Sequence, residues 1–542
     1  MLRAAASEIE KVPFDVIVIG AGINGAGIAR DAAMRGLKVL LLDKGDLSSG
    51  TSGWSTRLIH GGLRYLEYGE ISLVRESLRE RERLFHIAPH LVKPLPLLIP
   101  FYPAKAGRGR LMIRAGMIAY DLLSFDKSLE HHRSLSRDET LRRVPGLDPE
   151  GLSGAVVYYD AQVEFAERLV LENALSATEH GAKVLNYARV DKIIVEGVEA
   201  RGIEFTDLLS GATYRARGAI IVNAAGPWVD EVAGLLNEAP PRMIGGTKGS
   251  HIIVSKFPGA PDVALYVEAM KDQRPFFIIP WNNLYLIGTT DISYEGNLDY
   301  LEAEDDEIDY LLRETNRVLP SSSLTRSSVL YTYSGVRPLA YSAGRPSAAI
   351  TRRHFIHDHA PRLQNFLSIV GGKLTTYRNL AEQAVDEIFR KLKKNAPECL
   401  TAREPLPGAR DIAALREQFK NKNFLSEKSS ERLLGIYGSR ASEVLKLAAS
   451  SRDLKEVFSS LTGAIGAEVV MAFEHEMAQT LADCLLRRTM VGLDSFAGLD
   501  ADEAAARIAA KYFGWSSDRA EEEIRAYRNY IERFHPRSRA KV

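Results

Sequence analysis

The sequence predicts an α/β protein: a Rossmann-like dinucleotide-binding domain interleaved with an antiparallel-sheet domain, followed by an all-helical C-terminal domain. Three observations predict it. A glycine-rich turn sits between a short apolar run and an Ala-rich helical stretch near the N-terminus. Alternating apolar segments occupy the middle of the chain, and apolar residues recur at helical spacing over the last ~140 residues. The 542 residues contain 45% apolar and 26% charged residues, as in globular proteins of several domains.

The N-terminal unit reads in order. Val16–Ile19 is a buried-type strand, Ile23–Gly36 a helix and Leu37–Leu42 a second strand ended by Asp43. Strand, glycine turn, helix and strand within about thirty residues form a βαβ unit with parallel, adjacent strands. In Gly20-Ala21-Gly22-Ile23-Asn24-Gly25, Gly20 permits the tight turn, Gly22 lets backbone approach a pyrophosphate, and Gly25 lets helix and strand pack closely. The helix start offers N–H groups to phosphate, and the Asp43 carboxylate suits a ribose diol and disfavours a 2′-phosphate. The fingerprint alone does not separate NAD from FAD. The following stretch, Thr51–Tyr65, does: Thr51, Ser52 and Ser55 suit a second face of the pyrophosphate, and Gly61-Gly62 suits close approach of backbone to a flat ring. Val222–Trp228 and Ile369–Tyr377 are further strand ends running into glycine and then helix, and the second aims a helix N-terminus at a ligand.

Elsewhere, Ala219–Val222 and Phe366–Val370 read as buried parallel strands, and His251–Val254, Phe276–Ile279 and Leu284–Gly288 as an antiparallel sheet. Pro405–Pro407 is the expected linker into the C-terminal helices, placed at Glu468–Met490, Ala501–Phe513 and Asp518–Phe534 with a turn at Gly514. Balanced Lys+Arg (70) and Asp+Glu (70) give no field for non-specific nucleic-acid binding. Two cysteines, Cys399 and Cys484, cannot build a disulfide framework and fit a reducing compartment. No apolar run is long enough for a membrane-spanning helix. His354, His357 and His359 match no zinc spacing and read as an exposed turn, so no metal is expected.

The segments Ile19–Asp31, Leu58–Glu67, Ala224–Trp228, Lys248–His251, Ile287–Asp291, Tyr333–Leu339, Ile350–Arg352 and Gly371–Arg378 together resemble the FAD-dependent, aerobic respiratory glycerol-3-phosphate dehydrogenases, within the D-amino-acid-oxidase-like flavoproteins. The resemblance covers residues 14–380 and continues more weakly beyond. Asp43 stands where relatives often have Glu, and Arg57 where they often have Lys. It implies FAD as cofactor, held by Gly20, Gly22, Ile23, Asn24, Gly25, Asp43, Thr51, Ser52, Ser55, Arg57, His60, Gly61, Gly62, Ala225, Gly226, Trp228, Gly372, Lys373 and Thr375. It implies glycerol 3-phosphate as substrate, with Arg64, Arg337, Arg352 and Lys373 around the phosphate and Tyr65 adding a hydroxyl. It implies a catalytic group of His251 as base, Lys373 and Arg337. The expected FAD domain comprises residues 13–90, 150–235 and 350–395, the substrate domain 91–149 and 236–349, and the helical domain 405–542.

Electron transfer to quinone requires contact with the bilayer. Residues 94–120 are the expected contact: an apolar, proline-rich Pro94–Tyr102, then Lys105, Arg108, Arg110 and Arg114 among Leu111, Met112, Ile113, Met117 and Ile118. The expected location is cytoplasmic, peripheral to the inner face of the cell membrane. An oxygen-using glycerol-3-phosphate oxidase and an FAD-dependent amino- or hydroxy-acid dehydrogenase are the alternatives. The length lacks the extra insertion of the oxidases compared, and several arginines exceed what a carboxylate substrate needs. The C-terminal helices carry no legible chemistry, so packing on the catalytic part, partner binding and homodimer formation all stay open to them.

Overall fold

A computed structural model of the chain describes residues 3–102, 110–125, 128–236, 238, 240–344, 350–420 and 425–536. Its first sheet has eight strands. Phe14–Ile19 lies at the centre, parallel to Val39–Leu42 on one side and to Thr213–Asn223 on the other, with Phe366–Val370 and Lys183–Leu185 extending the parallel set. Alternation of side chains puts Val16, Val18, Leu41 and Val222 on one face, under the helices Ile23–Met34 and Tyr377–Leu392. Ile17, Ile19, Leu40 and Ile221 fill the other face. Both faces are covered, which is why the central strands are apolar on both faces over Val16–Ile19 and Val39–Leu42. Small residues line the helix Ile23–Met34 because its neighbours press close: a Cβ on Gly27 would stand 2.8 Å from the Tyr377 ring.

The second sheet has ten strands and is mostly antiparallel. Thr247–Val254 pairs with Leu284–Gly288 and with Val329–Arg337, placing His251 opposite Gly288 and Tyr333. The expected sheet segments at His251–Val254, Phe276–Ile279 and Leu284–Gly288 all lie here. Two pieces expected in the cofactor domain belong to this sheet instead: Leu58–Ile59 and Gly154–Val163 pair with each other, and the longer strand runs along Val92–Phe101. After Val163 the chain crosses into the helix Ala166–Glu179.

That pairing also corrects the expected membrane segment. Pro94–Phe101 is a sheet strand, with Leu97, Leu98, Ile99 and Phe101 buried. Its prolines at 94, 96 and 100 share one parity, so the N–H groups they lack belong to one edge of the strand. Downstream, Lys105 and Arg108 lie outside the described residues, as do the side chains of Arg110, Leu111, Met112, Ile113 and Arg114. On the helix Arg110–Leu123, Met117 and Tyr120 are buried, while Ile118 and Leu122 are exposed, as is Phe125 just beyond. The stretch expected as an exposed turn at His354–His359 is an edge strand, Phe355–Asp358, against Phe366–Val370.

The C-terminal region is helical, with one short hairpin, Val457–Ser459 with Ala464–Ile465, among its helices. Asp502–Phe513 and Ser517–Ile531 are helices, separated by Gly514 in the left-handed conformation. The expected continuous helix over Glu468–Met490 is broken into Gly466–Val470 and Leu481–Asp483, each continued by a π-helical turn. The break delivers Glu476 into the interior, where its carboxylate meets Arg168 and Arg440, each at 2.6 Å. Burial opposes this charge, but the two guanidiniums overcome it and hold Glu476 at about 2. Nearby, Arg487 and Arg488 pair with buried Asp46, both at 2.7 Å. These pairs bolt the C-terminal region to the cofactor domain, since removing one partner of a buried pair costs ~3–5 kcal/mol. Pro405–Pro407 is not a free linker: Leu406 is fully buried, and the next residue, Gly408, donates its N–H to Glu172 at 2.7 Å.

Candidate active site

The glycine turn has the geometry its spacing predicts. Gly20 has φ +104°, and a Cβ there would lie 2.7 Å from the Ala224 carbonyl oxygen. On Gly25 a Cβ would lie 1.8 Å from the Gly20 carbonyl oxygen, so helix and strand are in backbone contact. Asp43 accepts hydrogen bonds from the N–H groups of Ala21 (2.6 Å) and Gly45 (2.8 Å). It therefore braces the turn while its remaining lone pairs face the cavity. Ser52 Oγ accepts from the Ile23 N–H at 2.9 Å, which leaves its own proton to donate. Thr51 donates to the Val336 carbonyl at 2.7 Å, fastening this loop to the second sheet.

These groups line a cavity of about 770 Å³ between the two sheets. Gly20, Gly22, Ile23, Asn24, Asp43, Thr51, Ser52, Ser55, Ala225, Gly226, Trp228, Gly372 and Lys373 are all on its wall. The wall also includes Trp54, Lys44 and, from the C-terminal segment, Tyr530, Arg533 and Phe534, none of which sequence reasoning found. Three wall residues carry buried polar atoms without a hydrogen-bond partner, Asn24 Oδ1, Ser48 Oγ and Trp228 Nε1. Such atoms cost free energy unless a ligand satisfies them. A long cavity with helix-start N–H groups, a ribose-type carboxylate and orphaned polar atoms fits FAD.

Six expected cofactor residues stand off the wall: Gly25, within the contact of helix and turn, and Arg57, His60, Gly61, Gly62 and Thr375. Arg57 is fully buried and forks onto Glu167 at 2.7 and 2.8 Å, with the Gly53 carbonyl at 2.9 Å. It shapes the loop from within, and Glu167 raises its pKa despite burial. His60 and Thr375 face each other: the His60 N–H donates to Thr375 Oγ1 at 3.1 Å, which ties two cofactor stretches together. Burial, and then Lys373, lower His60 to about 3, so its ring is neutral. Gly61 and Gly62 do admit a close approach, but of protein side chains: a Cβ on Gly61 would meet the Tyr120 hydroxyl at 2.4 Å, and one on Gly62 the Tyr65 ring at 2.2 Å.

Beyond Lys373 lies a cationic pocket. The Lys373 ammonium donates to Ser77 Oγ at 2.9 Å and lies 4.7 Å from the centre of the Tyr65 ring. Burial lowers it to about 8. Tyr65 is in turn within the field of Arg352 and Arg337, although burial raises its phenol above the usual value. Arg337 and Arg352 share Asp291, at 3.2 and 3.9 Å, and Arg274 pairs with the same carboxylate. Despite its burial, Asp291 is held at about 2 by Arg337 and Arg274. Three guanidiniums around one carboxylate leave a net positive pocket, and Arg352 Nη1 is buried without a partner. Arg337 can lie here because Gly249 has no side chain: a Cβ would stand 2.4 Å from Arg337 Nη2. The segment Lys248–His251 signalled this spot, but the roles of Asp291, Arg274 and Gly249 needed the sheet register. The backbone of Arg64 is in a short helical turn, Leu63–Leu66, and its side chain lies outside the described residues.

His251 is buried next to this pocket and off the cavity wall. Its Nε2 is 2.9 Å from Thr56 Oγ1, and its ring packs on Tyr333 at 4.8 Å. Burial, with Arg337 and Arg57 adding to it, lowers its pKa well below the usual value. Among the described residues, no group of three or more His, Cys, Asp or Glu could hold a metal ion. His359 instead hydrogen-bonds Ser368 at 2.9 Å.

A dinucleotide cavity with Lys373 on its wall and a cluster of guanidiniums gathered on Asp291 suits a flavin oxidoreductase, and residues 15–378 match the FAD-dependent oxidoreductase family DAO. Residues 399–520 match the C-terminal domain of alpha-glycerophosphate oxidase. A glycerol-3-phosphate dehydrogenase of Synechocystis sp. is 48% identical over 544 residues, covering 97% of both chains. An aerobic glycerol-3-phosphate dehydrogenase of Staphylococcus haemolyticus is 34% identical, covering 89% of this chain and 87% of the relative. The crystal structure of the glycerol-3-phosphate dehydrogenase from Bacillus halodurans complexed with FAD superposes with a TM-score of 0.79 at 27% identity, over 98% of this chain and 97% of that one. The chain belongs to the family of FAD-dependent glycerol-3-phosphate dehydrogenases.

Proposed function

We propose that this protein oxidises sn-glycerol 3-phosphate to dihydroxyacetone phosphate and passes the electrons to a membrane quinone. The observation that carries the reading is the cluster of Arg337, Arg352 and Lys373 beside the cofactor cavity. A phosphomonoester dianion matches its net positive charge, and a planar guanidinium can donate two parallel hydrogen bonds to phosphate oxygens. Arg352 Nη1 has a bond still to make. Tyr65, between Lys373 and the arginines, would hold the glycerol end. When bound, FAD supplies the two-electron acceptor, taking hydride from C2 at its N5 atom.

The chain's own residues prepare that transfer. His251 is neutral at pH 7 because burial and two arginines suppress its charge, so one of its ring nitrogens has a lone pair to accept a proton. Thr56 Oγ1, hydrogen-bonded to Nε2, would relay the C2 hydroxyl proton to it. Lys373, cationic below about pH 8, would stabilise the developing alkoxide.

Anaerobic mixing with sn-glycerol 3-phosphate while following flavin absorbance tests the whole reading. We expect bleaching whose apparent second-order rate constant is level near neutrality and falls as pH rises through about 8. The sign follows from Lys373: its cation is present below its pKa and lost above it, while the arginines stay charged. No bleaching would overturn the assignment. Vigorous peroxide formation in air without another acceptor would favour the oxidase reading, which the match of residues 399–520 keeps in view.

Membrane contact is supported by the exposed Ile118, Leu122 and Phe125, with Arg75 stacked 4.4 Å from the Phe125 ring. No described helix is long and apolar enough to cross a membrane. A basic, apolar surface of this kind suits the interface of an anionic bilayer. Replacing Lys105, Arg108, Arg110 and Arg114 by glutamine should release the protein from anionic vesicles with its FAD retained, and unchanged vesicle binding would end this part of the proposal.

A further inference from the structure

The C-terminal segment reaches the cofactor cavity, beyond the residues that match the C-terminal family domain. After the helix Ser517–Ile531, a short turn Glu532–Phe534 places Tyr530, Arg533 and Phe534 on the cavity wall. The turn is anchored from three directions. The Phe534 ring packs on Trp54 at 5.1 Å, and its carbonyl accepts from Thr332 Oγ1 at 3.1 Å. Arg533 lies between the rings of Tyr300 (4.6 Å) and Tyr530 (4.3 Å) and donates to the Asp299 carbonyl at 3.2 Å.

Asp299 also reaches the other side. Its carboxylate pairs with Lys44 at 2.6 Å, and Lys44 sits one residue after the ribose-type Asp43, with its ammonium 4.9 Å from the Trp228 ring. Lys44, Asp299 and Arg533 all line the cavity, and Lys44 and Asp299 are substantially exposed, which puts this chain of contacts at the solvent rim. Three segments distant in sequence thus meet across one opening.

We propose that Tyr530–Phe534 is part of the FAD-binding site, and that the Lys44–Asp299–Arg533 bridge straps the cavity shut and slows release of the adenine dinucleotide. The C-terminal region then has a function in cofactor retention. A dinucleotide cannot leave past this rim without the strap opening, and its contacts are exposed or made at the end of a helix, where opening is cheapest. The inference does not depend on which alcohol the enzyme oxidises.

The test is the rate of FAD release from the full-length holoprotein after dilution, read by recovery of flavin fluorescence, with melting of the apoprotein measured in parallel. Arg533→Ala should release FAD about tenfold faster with the apoprotein melting as wild type, because it loses the carbonyl contact and both ring contacts. Tyr300→Ala, which removes one face of the Arg533 platform from an exposed site, should accelerate release about threefold. Asp299→Asn should do so about twofold, as expected for an exposed pair. Arg519→Ala, on the same helix but stacked on Trp515 away from the cavity, should release FAD at the wild-type rate. Wild-type release from both Arg533→Ala and Tyr300→Ala would overturn the proposal. Should Arg533→Ala fail to fold, Tyr300→Ala decides: release at the wild-type rate overturns it, and faster release supports it.

Discussion

Arg337→Ala is expected to cut the rate constant for flavin reduction by glycerol 3-phosphate, taken as kcat/KM, by roughly 10²–10³ while leaving FAD content unchanged. Arg337 is off the wall of the dinucleotide cavity, so the cofactor does not depend on it. In the proposed complex it would donate two hydrogen bonds to the phosphate, and truncating one partner of a buried, charged contact costs about 2–5 kcal/mol. The local fold should survive, because Asp291 keeps Arg274 and Arg352 as partners. Lysine at 337 should recover part of the loss by restoring charge without the fork. Unphosphorylated glycerol separates this reading from a general defect: wild type and Arg337→Ala should reduce their flavin with it at the same slow rate. An equal loss with both alcohols would remove Arg337 from the phosphate site.

Gly25→Ala should yield protein without FAD. The new Cβ would occupy a point 1.8 Å from the Gly20 carbonyl oxygen. Neither atom belongs to a flexible side chain, so the helix Ile23–Met34 must move off the strand Phe14–Ile19, carrying the turn at Gly22 away from the cavity and straining the Ile23–Ser52 hydrogen bond. Overpacking of this kind costs ~1–3 kcal/mol or more, and here it falls on the cofactor site itself. Flavin absorbance per chain measures the result, and a yellow protein at wild-type stoichiometry would show that the helix contact is dispensable. Gly61→Ala makes an instructive contrast. Its Cβ would press on Tyr120 and Leu78 rather than on the dinucleotide turn, so the damage there passes through protein packing.

The contrast between these glycines shows how far the residues spoke for themselves. Gly25 is constrained by Gly20, five positions away, and local spacing reported its role, whereas Gly20 also meets Ala224 and Gly22 meets Ser52 across the fold. Gly61 and Gly62 are constrained by Tyr120 and Tyr65, and in the first case the partner is fifty-nine residues distant. A reading from local pattern alone could not show that protein side chains press on these two glycines. Arg57 carries the same lesson. Its place among hydroxyls and glycines suggested a ligand, yet Glu167, on a different helix, consumes its guanidinium. The break at Glu476 was hidden because apolar spacing through Glu468–Met490 is helical, and the buried partners that outweigh that pattern, Arg168 and Arg440, lie outside the window. Pro94–Tyr102 looked like a membrane surface for a related reason: an apolar run does not say whether lipid or a neighbouring strand will cover it.

By itself the sequence determined the βαβ unit, the dinucleotide turn with Asp43, the antiparallel sheet at its core segments and, through its motifs, membership of a flavin dehydrogenase family. Each of these is written in contacts between near neighbours or in the two periodicities of regular backbone. Only the tertiary structure decided which cations converge, that Asp291 gathers Arg274, Arg337 and Arg352, that Thr56 stands beside His251, and that the last described turn lines the cofactor cavity. Those depend on sheet register and on side chains finding partners from 17 to 195 residues away, and such pairings leave no periodic trace in the chain.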